Sequence, residues 1–290
     1  MALEQPIAVL GAGGMLGRAV VRRLESEGVR TLAVGRDTID LAGRIPETVI
    51  TDLGAAAVVN CAAWTDVDGA EAAEDEATAV NGEGVARLTK ACAVGGATLV
   101  HFSTDYVFDG LSTTPYTTGH PRAPLNAYGR SKAVGERALE ESDADWICVR
   151  TSWLYGAWGK NFVLTIARLL AERDELKVVS DQVGRPSSVR QLADRSLALL
   201  ARGERGMFHS TDGGECSWHG FAKFIAGVTR SNARVEPCGT DAFPRPAKRP
   251  PYSVLDTSAT DEALGDPAHW HEETRAALRD ATEATEDRQA

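Results

Sequence analysis

A doubly wound α/β fold is the expectation from this sequence, and three observations carry it. A short β-rich run, Ile7-Ala-Val-Leu10, leads straight into Gly11-Ala-Gly-Gly-Met-Leu-Gly17. Short apolar runs and helix-periodic stretches then alternate to about residue 155. Beyond that point the alternation fails, and four prolines gather between Phe243 and Pro251. Such alternation builds a parallel sheet with helices on both faces. The sequence therefore predicts an α/β, Rossmann-type doubly wound parallel sheet with a smaller C-terminal lobe.

The elements follow in order. Leu16, Val20, Val21 and Leu24 recur at helical spacing after the first strand, and Gly28 stands where that helix would stop. Arg30 to Val34 reads as the second strand. Ala57 to Asn60 and Thr98 to Ser103 are apolar runs short enough to be buried parallel strands. Between them a helix is expected from about Asn81 to Val94, with Val85, Leu88 and Cys92 on one face. A helix from about Ala127 to Glu141 precedes a strand from Trp146 to Thr151. Helical patches then appear at Phe162–Glu172, Val189–Ala201 and Trp218–Thr229, separated by Gly- and Pro-containing loops. We divide the chain into a dinucleotide-binding domain (1–155), a substrate-binding lobe interleaved with it (156–280) and a disordered polar tail (281–290).

Composition narrows the function. The formal net charge of −10 argues against a nucleic-acid partner. No run reaches the ~20 apolar residues of a bilayer-crossing helix, so no membrane partner is expected. With no signal peptide visible and five scattered cysteines lacking a C-x-x-C pair, the expected location is cytoplasmic. Cys216 and His219 have a ligand-like gap but no second pair, so no metal is expected.

Gly11, Gly14 and Gly17 between strand and helix let backbone approach a pyrophosphate, whose charge helix N-terminal amides would meet. The second strand ends in Ala33-Val34-Gly35-Arg36, with no acid at Gly35 to take a ribose 2′-hydroxyl. Arg36 is either a solvated loop residue or the partner of a 2′-phosphate. NADPH is therefore the expected cofactor, with NADH possible. Tyr128 and Lys132 stand four apart, on one helix face. A cation beside the phenol would lower its pKa from ~10 into range for proton transfer. Thr104 ends a parallel strand, the edge where such sheets bind ligands, and its hydroxyl suits a substrate carbonyl. Arg245, Lys248 and Arg249 form a basic run that is either a solvated loop or a grip on a diphosphate. Trp153 and Trp158 lie in the loop after the last strand, either as packing or as a stacking surface for a sugar ring.

The glycine loop, Ser103-Thr104 and Tyr128-x-x-x-Lys132 resemble the extended short-chain dehydrogenase/reductase family. Longer runs narrow the likeness: Val59-Asn-Cys-Ala-Ala-Trp-Thr-Asp-Val-Asp68, Ser103-Thr-Asp-Tyr-Val-Phe-Asp-Gly110, Asn126-Ala-Tyr-Gly129, Arg150-Thr-Ser-Trp-Leu-Tyr-Gly156, Asp181-Gln-Val-Gly-Arg-Pro186 and Arg249-Pro-Pro-Tyr-Ser-Val-Leu-Asp256. Together they look like the dTDP-4-dehydrorhamnose reductases over nearly the whole chain. That resemblance implies Tyr128 as proton donor to the sugar C4 oxygen, Lys132 on the nicotinamide ribose and Thr104 on the keto oxygen. It implies Gly14, Met15 and Leu16 at the pyrophosphate, Asp40 and Leu41 on the adenine side, and Ala62, Ala63, Trp64 and Thr65 along the ribose and nicotinamide. Thr104, Asp105 and Trp153 would hold a dTDP-4-keto-6-deoxysugar, with Arg249 assigned to the same substrate. Some relatives pair through magnesium on surface carboxylates, but Met15 and Arg190 stand in this chain where no such cluster assembles, leaving monomer or homodimer. Two other readings use the same fold: a non-catalytic dinucleotide-binding regulatory subunit, and another nucleotide-sugar epimerase or dehydratase. Thr104, Tyr128 and Lys132 occurring together argue against the first.

Overall fold

The structure, a computed structural model, describes residues 3–286. The first half runs β1 (Ile7–Leu10), α1 (Met15–Ser26), β2 (Thr31–Val34), α2 (Val49–Leu53), β3 (Ala57–Asn60), α3 (Glu74–Thr78), α4 (Gly84–Gly95), β4 (Thr98–Thr104), α5 (Ala127–Glu140) and β5 (Trp146–Thr151). The second half runs β6 (Leu154–Tyr155), α6 (Phe162–Glu172), β7 (Glu175–Val179), β8 (Val183–Gly184), β9 (Ser187–Ser188), α7 (Val189–Arg202), β10 (Gly206–His209), β11 (Cys216–Ser217), α8 (Trp218–Val228), β12 (Arg234–Cys238), α9 (Ser258–Leu264) and α10 (Trp270–Glu286).

Six strands form one sheet in the order β10-β5-β4-β3-β1-β2, every neighbouring pair parallel. Side chains alternate between faces along each strand. Ile7 and Val9 join Leu16, Val20 and Leu24 of α1 and Val189, Leu192 and Leu197 of α7 in one core layer. Ala8 and Leu10 join Ile50 of α2, Val85, Leu88 and Cys92 of α4 and Leu139 of α5 in the other. Each such aliphatic side chain contributes roughly 1.5–3 kcal/mol by burial. The order reverses between β1 and β3, so a crevice opens at the carboxyl ends of those strands.

The second lobe has its own core, in which Tyr155, Ile166, Leu176, Phe221, Ile225 and Trp270 pack together. Its parallel pair β7–β12 stands apart from the main sheet.

Three of the departures from the sequence reading matter most. A π-helical turn at Ala79–Glu83 joins α3 to α4, so the expected helix at Asn81 starts as a π turn and becomes α-helical only at Gly84. Strand β10 and the terminal helices α9 and α10 were not foreseen; β10 is a four-residue run that gains its identity only by pairing with β5. The expected tail from 281 is helical as far as Glu286, because Trp270 and Ala277 anchor α10 in the second core and Ala- and Glu-rich sequence continues it. Residues 287–290 lie outside the described residues.

Candidate active site

The glycine loop sits at the switch point. Gly11 has φ +69°, and its carbonyl accepts the Gly14 N–H at 2.9 Å. A Cβ on Gly17 would fall 2.1 Å from that same carbonyl, so only glycine allows α1 to pack this close. Gly14 caps α1 without any side-chain acceptor. Amides at the start of α1 are thus left without a side-chain partner, and the helix dipole favours an anion there. Met15 is half-buried beside them; Leu16 faces the core, so any contact it makes with a ligand runs through backbone.

The loop after β3 lies on the same sheet edge. Ala62 donates its N–H to Asn60 Oδ1 at 3.1 Å. Trp64 is clamped by Asn81: its N–H meets Asn81 Oδ1 at 2.9 Å, and its carbonyl accepts Asn81 Nδ2 at 3.0 Å. The π turn is what aims Asn81 at this loop, a device often found at functional sites. Ala63 and Thr65 flank Trp64 in the same segment. Farther along the edge, Asp40 is exposed and Leu41 is buried, its carbonyl accepting Arg87 Nη2 at 2.9 Å.

At the end of β2, Arg36 is exposed and has no ion-pair partner among the described residues. Sequence reading found no acid here, yet Asp37 supplies one. Its carboxylate occupies the space that a side chain on Gly35 would enter.

Thr104 closes β4 and caps the turn Asp105–Val107: its hydroxyl accepts the Tyr106 N–H at 3.2 Å and donates to Asp105 Oδ1 at 3.0 Å. Tyr128 projects from the first turn of α5, held there because Asn126 caps the helix on Gly129 at 2.8 Å. Its ring meets Tyr106 edge-on, 6.1 Å between centroids. Burial raises the Asp105 pKa to about 7, against the hydrogen bond from Thr104. Burial also pushes the Tyr128 phenol far up, and the Asp105 charge adds to this. Lys132 does not relieve it. The lysine Nζ instead donates to the Phe102 carbonyl at 2.6 Å, on β4, and burial lowers its own pKa to about 8. The expected lowering of the phenol by the lysine is therefore absent, because helical spacing places both groups on one face without bringing their ends together. In the ligand-free protein the phenol is therefore protonated and a weaker acid than a free tyrosine.

A cavity of about 930 Å³ opens between α6, β7 and the prolyl segment, lined among others by Asp68, Tyr106, Gln182, Trp218, Lys248 and Arg249. Arg249 is not a free cation. It pairs with Asp68 at 3.1 Å and lies over the Tyr106 ring, while Arg245 reaches Asp68 at 3.8 Å. Trp153 has φ +46° and stacks on Trp218 at 3.5 Å between centroids. Trp218, which bonds Gln182 at 3.2 Å, is the ring on the cavity wall. Trp158 faces the other way, donating to the Met15 carbonyl at 3.0 Å under the guanidinium groups of Arg18 and Arg22.

The structure thus brings Thr104, Asp105 and Tyr128 together, sets Lys132 apart on the Phe102 carbonyl, and reaches Arg249 through the Tyr106 ring. Asn81, Asp37, Asp68, Tyr106 and Trp218 escaped the sequence reading. His219 meets the Val235 carbonyl at 3.1 Å, and Arg190 pairs with Glu273. No helix among the described residues is long and apolar enough to cross a membrane.

Residues 5–283 match the family model described as the RmlD substrate binding domain. The chain belongs to that family. The match takes in glycine loop, Tyr128–Lys132 and prolyl segment together, so both lobes carry the RmlD-type pattern. Among relatives, a dTDP-4-dehydrorhamnose reductase of Burkholderia thailandensis is 42% identical over 279 residues, covering 89% of this chain and 93% of the relative. A dTDP-4-keto-6-deoxy-D-glucose reductase of Streptomyces niveus is 40% identical, covering 90% and 92%. The fold agrees with the solved dTDP-4-dehydrorhamnose reductase of Bacillus anthracis in complex with NADP: TM-score 0.89, 33% identity, 94% of this chain and 98% of that one.

Proposed function

We propose that this protein is an NADPH-dependent 4-ketoreductase acting on dTDP-4-dehydro-L-rhamnose or a closely related dTDP-4-keto-6-deoxysugar, with Tyr128 as proton donor. The observation that carries it is the cluster of Thr104, Asp105 and Tyr128 on the same sheet edge as the N-terminus of α1. The uncapped helix start, the Gly17 close approach and the loop clamped by Asn81 fit a dinucleotide, held by Gly11, Gly14, Met15, Leu16, Gly17 and the 62–65 segment. When bound, the reduced nicotinamide supplies a hydride to the sugar C4.

The chain's own part is the proton. Thr104 orients the keto oxygen, and as that oxygen takes on negative charge Tyr128 gives it the phenolic proton. A phenol with a raised pKa holds this proton until a strong base forms beside it. Lys132 then serves the ribose side of the dinucleotide. The cavity beneath Lys248 and Arg249 is the place for the substrate diphosphate, and Trp218 with its partner Trp153 stands at the sugar end. The reading carries with it a cytoplasmic location and no nucleic-acid or membrane partner, the chain acting as monomer or homodimer.

The Streptomyces niveus relative favours a second substrate within the same reaction, a 4-keto-6-deoxyglucose of different ring stereochemistry. Anaerobic incubation with NADPH and each dTDP-4-keto-sugar, followed by product identification, separates the two. Oxidation of NADPH with formation of dTDP-L-rhamnose is the expected result. Absence of NADPH oxidation with every keto-sugar overturns the proposal.

A further inference from the structure

A set of buried polar groups lies beneath Lys132, outside the Thr104–Tyr128 cluster, and its hydrogen bonds fix a proton's position. Asn60 closes β3 and His101 lies on β4, and the two are register partners across the parallel pair. Both are 1% exposed, and Lys132 is 3% exposed. Asn60 Oδ1 accepts the Ala62 N–H at 3.1 Å, which turns its Nδ2 toward His101 Nδ1, also at 3.1 Å. An amide nitrogen only donates, so Nδ1 is the acceptor and a neutral imidazole carries its proton on Nε2. That Nε2–H stands 3.5 Å from Lys132 Nζ.

A lysine ammonium has three donors and no acceptor. The Phe102 carbonyl takes one of them at 2.6 Å. His101, presenting a donor, takes none. An uncharged amine fits this setting better, giving one proton to Phe102 and offering its lone pair to the imidazole N–H. We infer that Asn60 and His101 are positioning residues for Lys132, fixing the imidazole proton on Nε2 so that the ring offers the lysine no acceptor and the ammonium gives up its proton at a lower pH than an ordinary lysine, until acceptors from a bound dinucleotide favour the ammonium again. The coupling to cofactor rests on the functional reading above; the state of the free lysine does not.

Other groups near the lysine do not reverse this. On α5 itself, Tyr128 is neutral, and Glu136 pulls toward the ammonium form but is committed to Arg150 of β5 through bonds of 2.8 and 2.7 Å. Cys148 of β5 also acts toward the ammonium, while Asp105, beyond the end of β4, bears on Tyr128. Burial is the largest influence on the lysine and lowers its pKa; burial followed by the Lys132 charge keeps His101 neutral.

Six lysines make the test direct. Carbon-13 labelling at lysine Cε, with Lys132→Arg to assign the resonance, follows each amine through pH in the ligand-free protein. One resonance, that of Lys132, is expected to titrate about two pH units below the ordinary lysine value of ~10.4. In His101→Gln, whose amide carbonyl offers the ammonium an acceptor, it should move up by about one unit. Lys132 titrating with the surface lysines in the wild type overturns the inference, and this arm requires no variant at position 101. So does a Lys132 titration that stays put in a folded His101→Gln protein. Calorimetry of NADPH binding at pH 9, in two buffers of different ionisation enthalpy, reads the coupling: proton uptake is expected in the wild type and less of it in His101→Gln. NADPH binding without proton uptake overturns the coupling. A low lysine titration with no NADPH binding leaves the pair's effect on the free lysine standing and removes the reductase reading.

Discussion

Tyr128 combines burial with a carboxylate neighbour, and both keep the phenolic proton in place. Replacing it with Phe preserves the ring and removes the acid. Tyr128→Phe should keep fold and NADPH affinity while turnover falls about 10²–10⁴-fold; near-normal turnover in steady-state assays removes it as donor. At the end of β2 stand two exposed side chains of opposite charge, Arg36 and Asp37. Arg36→Ala should weaken NADPH by about 1.5–3 kcal/mol, the loss of a charge-assisted pair, and leave NADH nearly unchanged. Asp37→Ala should do the reverse, weakening NADH. Titrating both cofactors into both variants checks this, and equal responses would take the pair out of the site. Asp105 brings a pH dependence. Its pKa is about 7 in the folded chain against 3.8 as the ordinary value, so between these the folded state binds more protons than the unfolded. Its contribution to stability is fully present below about pH 4 and is lost as pH rises to about 7. The urea midpoint of Asp105→Asn relative to wild type should therefore climb from pH 4 to 7 and level off above; parallel curves would contradict the burial argument.

At the scale of elements, the prolyl segment is the piece whose role changed most between sequence and structure. It is tied down at several points: Lys248 accepts Asn126 Nδ2 at 2.9 Å, Ala247 donates to Asp68 at 3.3 Å, and Arg249 pairs with the same aspartate. The residue that caps α5, and so sets Tyr128, also holds the cavity wall. Arg249→Ala should raise KM for the dTDP-sugar with NADPH affinity intact, and the effect should shrink with salt because partly exposed charges are screened over about 8–10 Å. Kinetics at two ionic strengths, repeated in Asp68→Ala, separate the roles. A KM effect that vanishes in the Asp68→Ala background means that Arg249 only braces the segment.

Across the whole molecule the two lobes are woven rather than joined end to end. Helix α7 and strand β10 come from the second half of the chain, yet they cover one face and complete the edge of the main sheet. Without them Val100, Phe102, Ile147 and Val149 would lose their cover on that face. A fragment ending at residue 155 should therefore show no cooperative urea transition, while the full chain unfolds cooperatively. A soluble fragment with a sharp transition of its own would show that the first half is an independent domain.

Sequence alone determined what depends on neighbours a few residues apart. The β1–glycine loop–α1 unit, the 3.6-residue periods of α6, α7 and α8, and the one-turn spacing of Tyr128 and Lys132 are all local, and periodicity with turn chemistry reports them. Tertiary structure decided what depends on residues far apart in the chain. Lys132 finds its partners on β4, 30 and 31 residues earlier, so its distance from the phenol was not a matter of helical spacing. Asn81 acquires its aim from a π turn that breaks the period by which a helix is recognised. Trp153 meets Trp218 across 65 positions, and four residues at Gly206–His209 become a strand only because β5 offers an unpaired edge. Propensity acts along the chain, whereas charge state, stacking and edge pairing are set by which surfaces the fold presses together.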